Sequence, residues 1–182
     1  MFTSEQITKV ITNPTSYNMV LKDVQKNWPL LQKHMTFDDI PAVVGLIATV
    51  GVECHFTPVH EKGSPEYFKR LYGTRSDWEV DNSGLWKWRG RGFIQLTGKA
   101  NYAKYGHLIG IDLLRRPDDA LSPEIAAKVC NAYYTDHGCH IWARRGHWLR
   151  VRELVNGKWK NRKPNGWDDF SNHVWKLLDL AY

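Results

Sequence analysis

A mainly α fold, interrupted by one loop-rich region, is the class this sequence predicts, and three observations predict it. Helix-start signals precede apolar residues at three- and four-residue spacing, at Thr3-Ser4-Glu5-Gln6, Asp39-Ile40-Pro41 and Ser122-Pro123-Glu124. Residues 55 to 92 carry Pro58, Gly63, Pro65, Gly73, Gly84, Gly90 and Gly92 and show no sustained periodicity. The 182 residues are 42% hydrophobic, enough for a folded core.

The elements follow in order. A capping box at Thr3 to Gln6 opens a short helix that ends near Asn13-Pro14. The next runs from about Ser16 to His34, with a break or kink expected at Trp28-Pro29. Thr36-Phe37-Asp38-Asp39 caps the third, where Pro41 suits the first turn and Val43, Leu46, Ile47 and Val50 recur at helical spacing. This most apolar helix is expected at the centre, ending at Gly51-Val52-Glu53. Within the loop region, Tyr67 to Tyr72 forms a short helix. Ala100 to Leu108, Ser122 to Gly138 and His147 to Val155 are helical, and Asn165-Gly166-Trp167 opens a last helix that reaches the C-terminus. No repeat or linker divides the chain, so one domain over 1–182 is the economical expectation.

Several classes are disfavoured by composition. The longest apolar stretch, Ile40 to Val52, is shorter than the roughly 20 residues a span needs and contains Pro41, Gly45, Thr49 and Gly51. The N-terminus lacks the basic and apolar regions of a secretory signal, so synthesis and retention in the cytoplasm are expected, with release to the cell wall left to a separate factor such as a holin. Cys54, Cys130 and Cys139 form neither a disulfide scaffold nor a zinc motif, and no metal or other cofactor is expected. A net charge of +6 suits a polyanionic partner without choosing one. Nine tryptophans fit a sugar-binding groove as well as a core. Trp86 and Trp88 are candidates for the groove; Trp142, Trp148, Trp167 and Trp175 fall in helical patterns and are expected in the core. The basic run Lys158 to Lys163, extended by Arg144, Arg145, Arg150 and Arg152, reads equally as a solvated loop or as a contact for anionic wall polymer or lipopolysaccharide.

Two acidic residues suit glycoside hydrolysis. That reaction needs one carboxylic acid to protonate the leaving oxygen and one carboxylate to activate water. Glu53 ends the apolar helix among Val50, Val52, Cys54 and Phe56, surroundings that favour a protonated acid, as does the helix C-terminus. Glu61 lies in the following loop, placed to face it across a cleft, with Glu66 as a weaker candidate. For any single residue of either kind, a solvated side chain is the commoner outcome, and the residues alone leave both readings open. His60 is expected to make a local hydrogen bond.

The most specific stretch is Gly90-Arg91-Gly92-Phe93-Ile94-Gln95-Leu96-Thr97, followed by Asn101-Tyr102. Its glycines allow close backbone approach, and Gln95 and Asn101 offer paired donors and acceptors for sugar hydroxyls and acetamides. It lacks the Lys-Ser/Thr pair of a nucleotide loop. This stretch resembles the signature of glycoside hydrolase family 19, which contains plant and bacterial chitinases and a branch of phage and prophage lysozymes. Val50-Gly51-Val52-Glu53 followed by Phe56 is similar to the family's general-acid segment. Val155-Asn156-Gly157 and Asn165-Gly166-Trp167-Asp168 resemble its late substrate-binding segment. The resemblance runs from about Ala42 to Trp175.

The resemblance implies a two-lobed, lysozyme-like helical domain and an inverting single displacement. Glu53 would be the acid and Glu61 the base. Thr97 would place the water, with Ser64 as the hydroxyl of the loop after the base. Gln95, Asn101 and Asn156 would bind sugar, with Tyr102, Arg91 and Trp88 completing the substrate-binding set. His55 stands where many relatives have a small residue, and Lys158 where they have a second glycine. The short connection between Glu53 and Glu61 resembles the endolysin branch, which implies peptidoglycan glycan strands as substrate. A chitinase is the alternative, and a non-catalytic basic module binding glycan or nucleic acid the second. No specific nucleic-acid partner is expected, and nothing requires more than a monomer.

Overall fold

The computed structural model describes residues 1–158 and 162–182, and is mainly α. Helices α1 (Ser4–Ile11), α2 (Tyr17–His34) and α3 (Ile40–Cys54) come first. A short antiparallel ladder joins β1 (Val59–His60) to β2 (Arg91–Gly92), with Val59 opposite Gly92 and His60 opposite Arg91. Between the strands lies α4 (Pro65–Tyr72). Then come α5 (Lys99–Ile109), a 3-10 turn (Pro117–Leu121), α6 (Pro123–Asp136), α7 (Cys139–Arg144), α8 (Trp148–Asn156) and α9 (Trp167–Ala181).

Local chemistry explains most boundaries. Thr3 and Gln6 form the reciprocal capping box of α1. Asp39 accepts from the Ala42 N–H at the start of α3. Gly110 ends α5 in the left-handed conformation. The expected break at Pro29 is absent: α2 runs through it, because only one backbone donor is lost while Trp28 and Leu31 stay anchored in the core. Two helical elements escaped the sequence pattern, the 3-10 turn and α7. Both are too short to show an apolar period.

The apolar α3 is the central strut. Ala42 to Gly51 is buried throughout, with α9 and α7 packed along it and α1 and α8 against its flanks. Such a helix, apolar on every side, requires neighbours all round. A second group is formed by α5, α6, the 3-10 turn and β2. Trp86 and Trp88 are both buried here, so they brace the loop region from inside instead of bordering a groove. Trp148 is core as expected, whereas Trp175 is 61% exposed, because it falls on the outer face of α9 opposite the Phe170, Val174 and Leu177 stripe. The three cysteines are buried and unpaired. Among the described residues no helix is long and apolar enough to cross a membrane.

Candidate active site

Glu61 is held at the edge of the short sheet. Its N–H donates to the Gly90 carbonyl (2.8 Å), extending the ladder by one step. One carboxylate oxygen accepts from the Tyr72 hydroxyl (3.0 Å) and the Tyr67 hydroxyl (3.3 Å); the other accepts from the Gly90 N–H (3.2 Å). Three donors thus converge on one half-buried carboxylate, which is fixed as an acceptor. The two phenols respond in turn: burial first, and then the charge of Glu61, pushes both above the ordinary tyrosine value. Tyr72 is also stacked on the buried Trp86, with ring centroids 4.1 Å apart.

Gly90 is the hub of the Gly-Arg-Gly turn. A Cβ there would lie 2.8 Å from Gln95 Oε1 and 3.2 Å from Thr97 Oγ1. Glu61, Gln95 and Thr97 therefore meet around one residue that only glycine accommodates without displacement. Gln95 sits at φ 51°, a left-handed conformation uncommon for a side-chain-bearing residue. Its amide N–H2 donates to the carbonyls of Val59 (2.8 Å) and Gly92 (3.1 Å), which leaves its oxygen facing the Gly90 side. The Thr97 hydroxyl donates to the Gln95 carbonyl (2.7 Å), and Asn101 donates to the Thr97 carbonyl (2.8 Å). Asn156 accepts from the Asn165 N–H (3.2 Å), tying the end of α8 to the start of α9. Internal bonds orient all three amides and leave one polar group of each without a protein partner among the described residues.

Three expected sugar contacts are instead structural. Arg91 has a fully buried side chain. It donates to Asp118 (2.7 Å), to the Tyr102 hydroxyl (2.8 Å) and to the carbonyls of Lys87 and Arg89. Tyr102 is buried and donates to the Arg89 carbonyl (2.7 Å); burial raises its phenol to about 12. Trp88 packs on Tyr102. The reason is one of packing: the Arg91 guanidinium is fully taken up by Asp118, the Tyr102 hydroxyl and the carbonyls of Lys87 and Arg89. Ser64 caps α4, accepting from the Tyr67 N–H (3.2 Å), and Glu66 lies exposed in the first turn of that helix. His60 makes the expected local bond, to the Glu61 carbonyl.

Glu53 occupies the last turn of α3, half-buried, but its surroundings are not purely apolar. Arg152, from α8, donates to its Oε1 at 2.5 Å. The Arg152 side chain is 3% exposed and also donates twice to the Asn165 carbonyl, at 2.8 and 2.6 Å. Glu53 Oε2 has no protein partner among the described residues and remains available to a proton or a glycosidic oxygen. The two carboxylates are linked through a four-residue segment: the Cys54 thiol, next to Glu53, points at the Phe93 carbonyl (3.6 Å), while Glu61 is bound at Gly90.

Arg152 was expected on a basic surface. It is buried because α8 turns the face it shares with Asn156, one helical turn away, toward the end of α3. The remaining arginines of that expected patch are largely neutralised. Arg144 pairs with Asp39 and Arg150 with Glu153, whereas Arg145 lies over the Trp142 ring. Trp159, Lys160 and Asn161 of the basic run lie outside the described residues. Tyr67, Tyr72 and Arg152 were not singled out as site residues by sequence reasoning. Their signals were faint: two tyrosines on the helix just after Glu61, and an arginine four positions before Asn156.

Comparison with known proteins places this geometry. No protein-family model matches the chain. A Haemophilus influenzae protein described as containing a glycosyl hydrolase family 19 domain is 34% identical over 90 residues, covering 48% of this chain and 42% of its own length. Chitinase 8 of Oryza sativa subsp. japonica is 36% identical over 73 residues, 40% of this chain and 27% of its own. The chain thus matches less than half the length of either relative. Chitinase C from Streptomyces griseus HUT6037 has the same fold at TM-score 0.67 and 19% identity, covering 98% of this chain and 91% of that one. The chain is similar to glycoside hydrolase family 19. A further bacterial family 19 chitinase matches at TM-score 0.60 and 19% identity, over 96% and 92% of the two chains. The family 19 resemblance read from the sequence is borne out, and the mainly α, lysozyme-like fold it implied is the fold observed.

Proposed function

We propose that this protein is an inverting glycosidase that cuts β-1,4 bonds in the glycan strands of bacterial peptidoglycan, as an endolysin does. The observation that carries the proposal is the convergence around Gly90: a carboxylate fixed as an acceptor, with the Thr97 hydroxyl and the Gln95 oxygen beside it. Glu61 accepts a proton from water, Thr97 and Gln95 orient that water, and it attacks the anomeric carbon from the face opposite the leaving group. Glu53, which takes up a proton on Oε2 before each turnover, delivers it to the departing oxygen. Arg152, bonded only to Oε1, fixes the direction in which that proton is presented. Asn101 and Asn156 hold sugar acetamides or hydroxyls. Release to the wall through a separate factor, and contact of exposed lysines and arginines with anionic envelope polymer, belong to the same reading.

Family kinship supports glycosidase chemistry; the short Glu53–Glu61 connection supports peptidoglycan over chitin. A chitinase is the second reading, favoured by the relatives that carry that description. Digestion of purified peptidoglycan and of chitin oligomers, read by mass spectrometry in 18O water, separates the two. The expected products are muropeptides cleaved after N-acetylmuramic acid, with the label at an inverted anomeric carbon. Glu53→Gln and Glu61→Gln should each lose at least a hundredfold in rate, the scale of general acid–base catalysis, with the circular dichroism spectrum unchanged. Products from chitin alone would replace the first reading by the second.

A further inference from the structure

An open cavity of about 640 Å³ begins at His55, two residues beyond Glu53. It lies between the α1–α2 connection, the end of α3 and one face of α9. Its two walls differ. Val10, Ile11 and Val20 make one side apolar. The other is a stripe on α9, Asp169, Asn172, His173 and Lys176, at the spacing that places four residues on one helix face. Asp23 adds a carboxylate at the rim, held by the Thr57 hydroxyl (2.8 Å).

The charged ends of this stripe are not accounted for by the fold. Among the described residues neither Asp169 nor Lys176 forms an ion pair. Asp169, Asn172 and Lys176 share one face of α9 with His173, and His55 lines the same cavity. The His173 ring is 7% exposed and packs on α3 beside Gly51, and its Nδ1 has no hydrogen-bond partner among the described residues. His55 and Phe56 are consecutive side-chain-bearing residues at positive φ, 48° and 64°. His55 is the left-handed C-cap that ends α3, and Phe56 continues the turn. Here they turn the chain sharply after Glu53 and leave His55 exposed at the mouth of the cavity.

We propose that this cavity receives the peptide arm of the substrate, so that the enzyme reads the peptide-bearing sugar as well as the glycan chain. The inference rests on the peptidoglycan reading and deepens it. A peptide arm carries aliphatic side chains, free carboxylates and an amine; chitin carries none of these. The apolar wall meets the aliphatic groups. Lys176 and His55 meet a carboxylate, and Asp169 and Asp23 an ammonium. Asp169 and Lys176 are seven residues apart, about 10 Å along the helix axis, which an extended peptide of three residues also spans at roughly 3.4 Å each.

The test compares kcat/KM on three substrates: intact peptidoglycan, the same strands after an amidase has removed the peptides, and chitin oligomers. The wild-type protein should prefer intact over stripped strands by at least tenfold, chiefly through KM. Lys176→Ala and Asp169→Asn, checked for folding by circular dichroism, should bring that ratio toward one. The wild-type comparison stands even if a variant fails to fold. Equal rates on intact and stripped strands overturn the inference while leaving the peptidoglycan reading intact. A ratio unchanged in both folded variants overturns it too. Cleavage of chitin oligomers with both peptidoglycan substrates untouched removes the peptidoglycan reading, and this inference with it.

Discussion

Replacing Arg152 by methionine keeps most of the side-chain volume and removes the guanidinium. In the native protein that group is 3% exposed and gives one N–H to Glu53 and two to the Asn165 carbonyl. Removing one partner of a buried ion pair costs about 3–5 kcal/mol, because the other charge stays behind in a poor solvent. Glu53 keeps 13% of its side chain in contact with water, which relieves part of this, so the lower end applies. About 3 kcal/mol at this chain length lowers Tm by roughly 6–12 °C. Glu53→Gln removes the stranded charge, so the double variant should be at least about 1.5 kcal/mol more stable than the two single costs added together. Thermal unfolding of the four proteins gives the coupling directly. On substrate, Arg152→Met should lower kcat at least tenfold with KM little changed, because Arg152 acts through Glu53. Additive costs, or a Tm within about 2 °C of wild type, would refute the idea that Arg152 holds the proposed acid.

Other perturbations probe the remaining contacts of the site and the core. Tyr72→Phe keeps the ring on Trp86 and removes one donor to Glu61; kcat should fall severalfold with Tm nearly unchanged, and an unaltered kcat would show that the hydroxyl does not matter to the proposed base. Gly90→Ala should depress activity more than stability, because its Cβ meets the side-chain ends of Gln95 and Thr97. Gly92→Ala should do the reverse, with φ at 82° and a backbone carbonyl 2.8 Å away; matched activity and denaturation assays distinguish the two. Burial lowers His173 from 6.5 to about 4. A histidine depressed in this way leaves stability intact above pH 6.5 and removes it as pH falls toward 4, since the unfolded chain takes up the proton first. The loss approaches about 3 kcal/mol across that window. Urea unfolding at pH 7 and 4.5 should show it in wild type and not in His173→Gln. Asp39 and Asp81, held low by Arg144 and Arg89 despite burial, add their loss only below pH 4.

Much of the framework was legible because it is local. A helix start announces itself in three or four residues, as at Thr3, Asp39 and Ser122, and an amphipathic period in two turns. The Gly-Arg-Gly stretch was legible as a motif, but not the work of its members. Arg91 looked like a ligand contact and is an internal brace, since its side chain is taken up by Tyr102 and by Asp118, nearly thirty residues on. Trp88 and Trp175 exchanged their expected environments for the same reason. Composition counts aromatic rings without saying which face of an element meets a neighbour.

The sequence by itself determined the helical class, the acidic residue that ends the apolar helix, the loop that carries the second, and the Gly-flanked turn between them. Each depends on interactions a few residues apart, whose energies hold in any surroundings. Only the tertiary structure decided that a guanidinium from α8 lies against Glu53, that two phenols and a backbone N–H grip Glu61, and that a charged stripe of α9 faces open space. Those facts depend on which surfaces meet when distant elements pack, and burial then turns an ordinary charge or hydroxyl into a strong interaction.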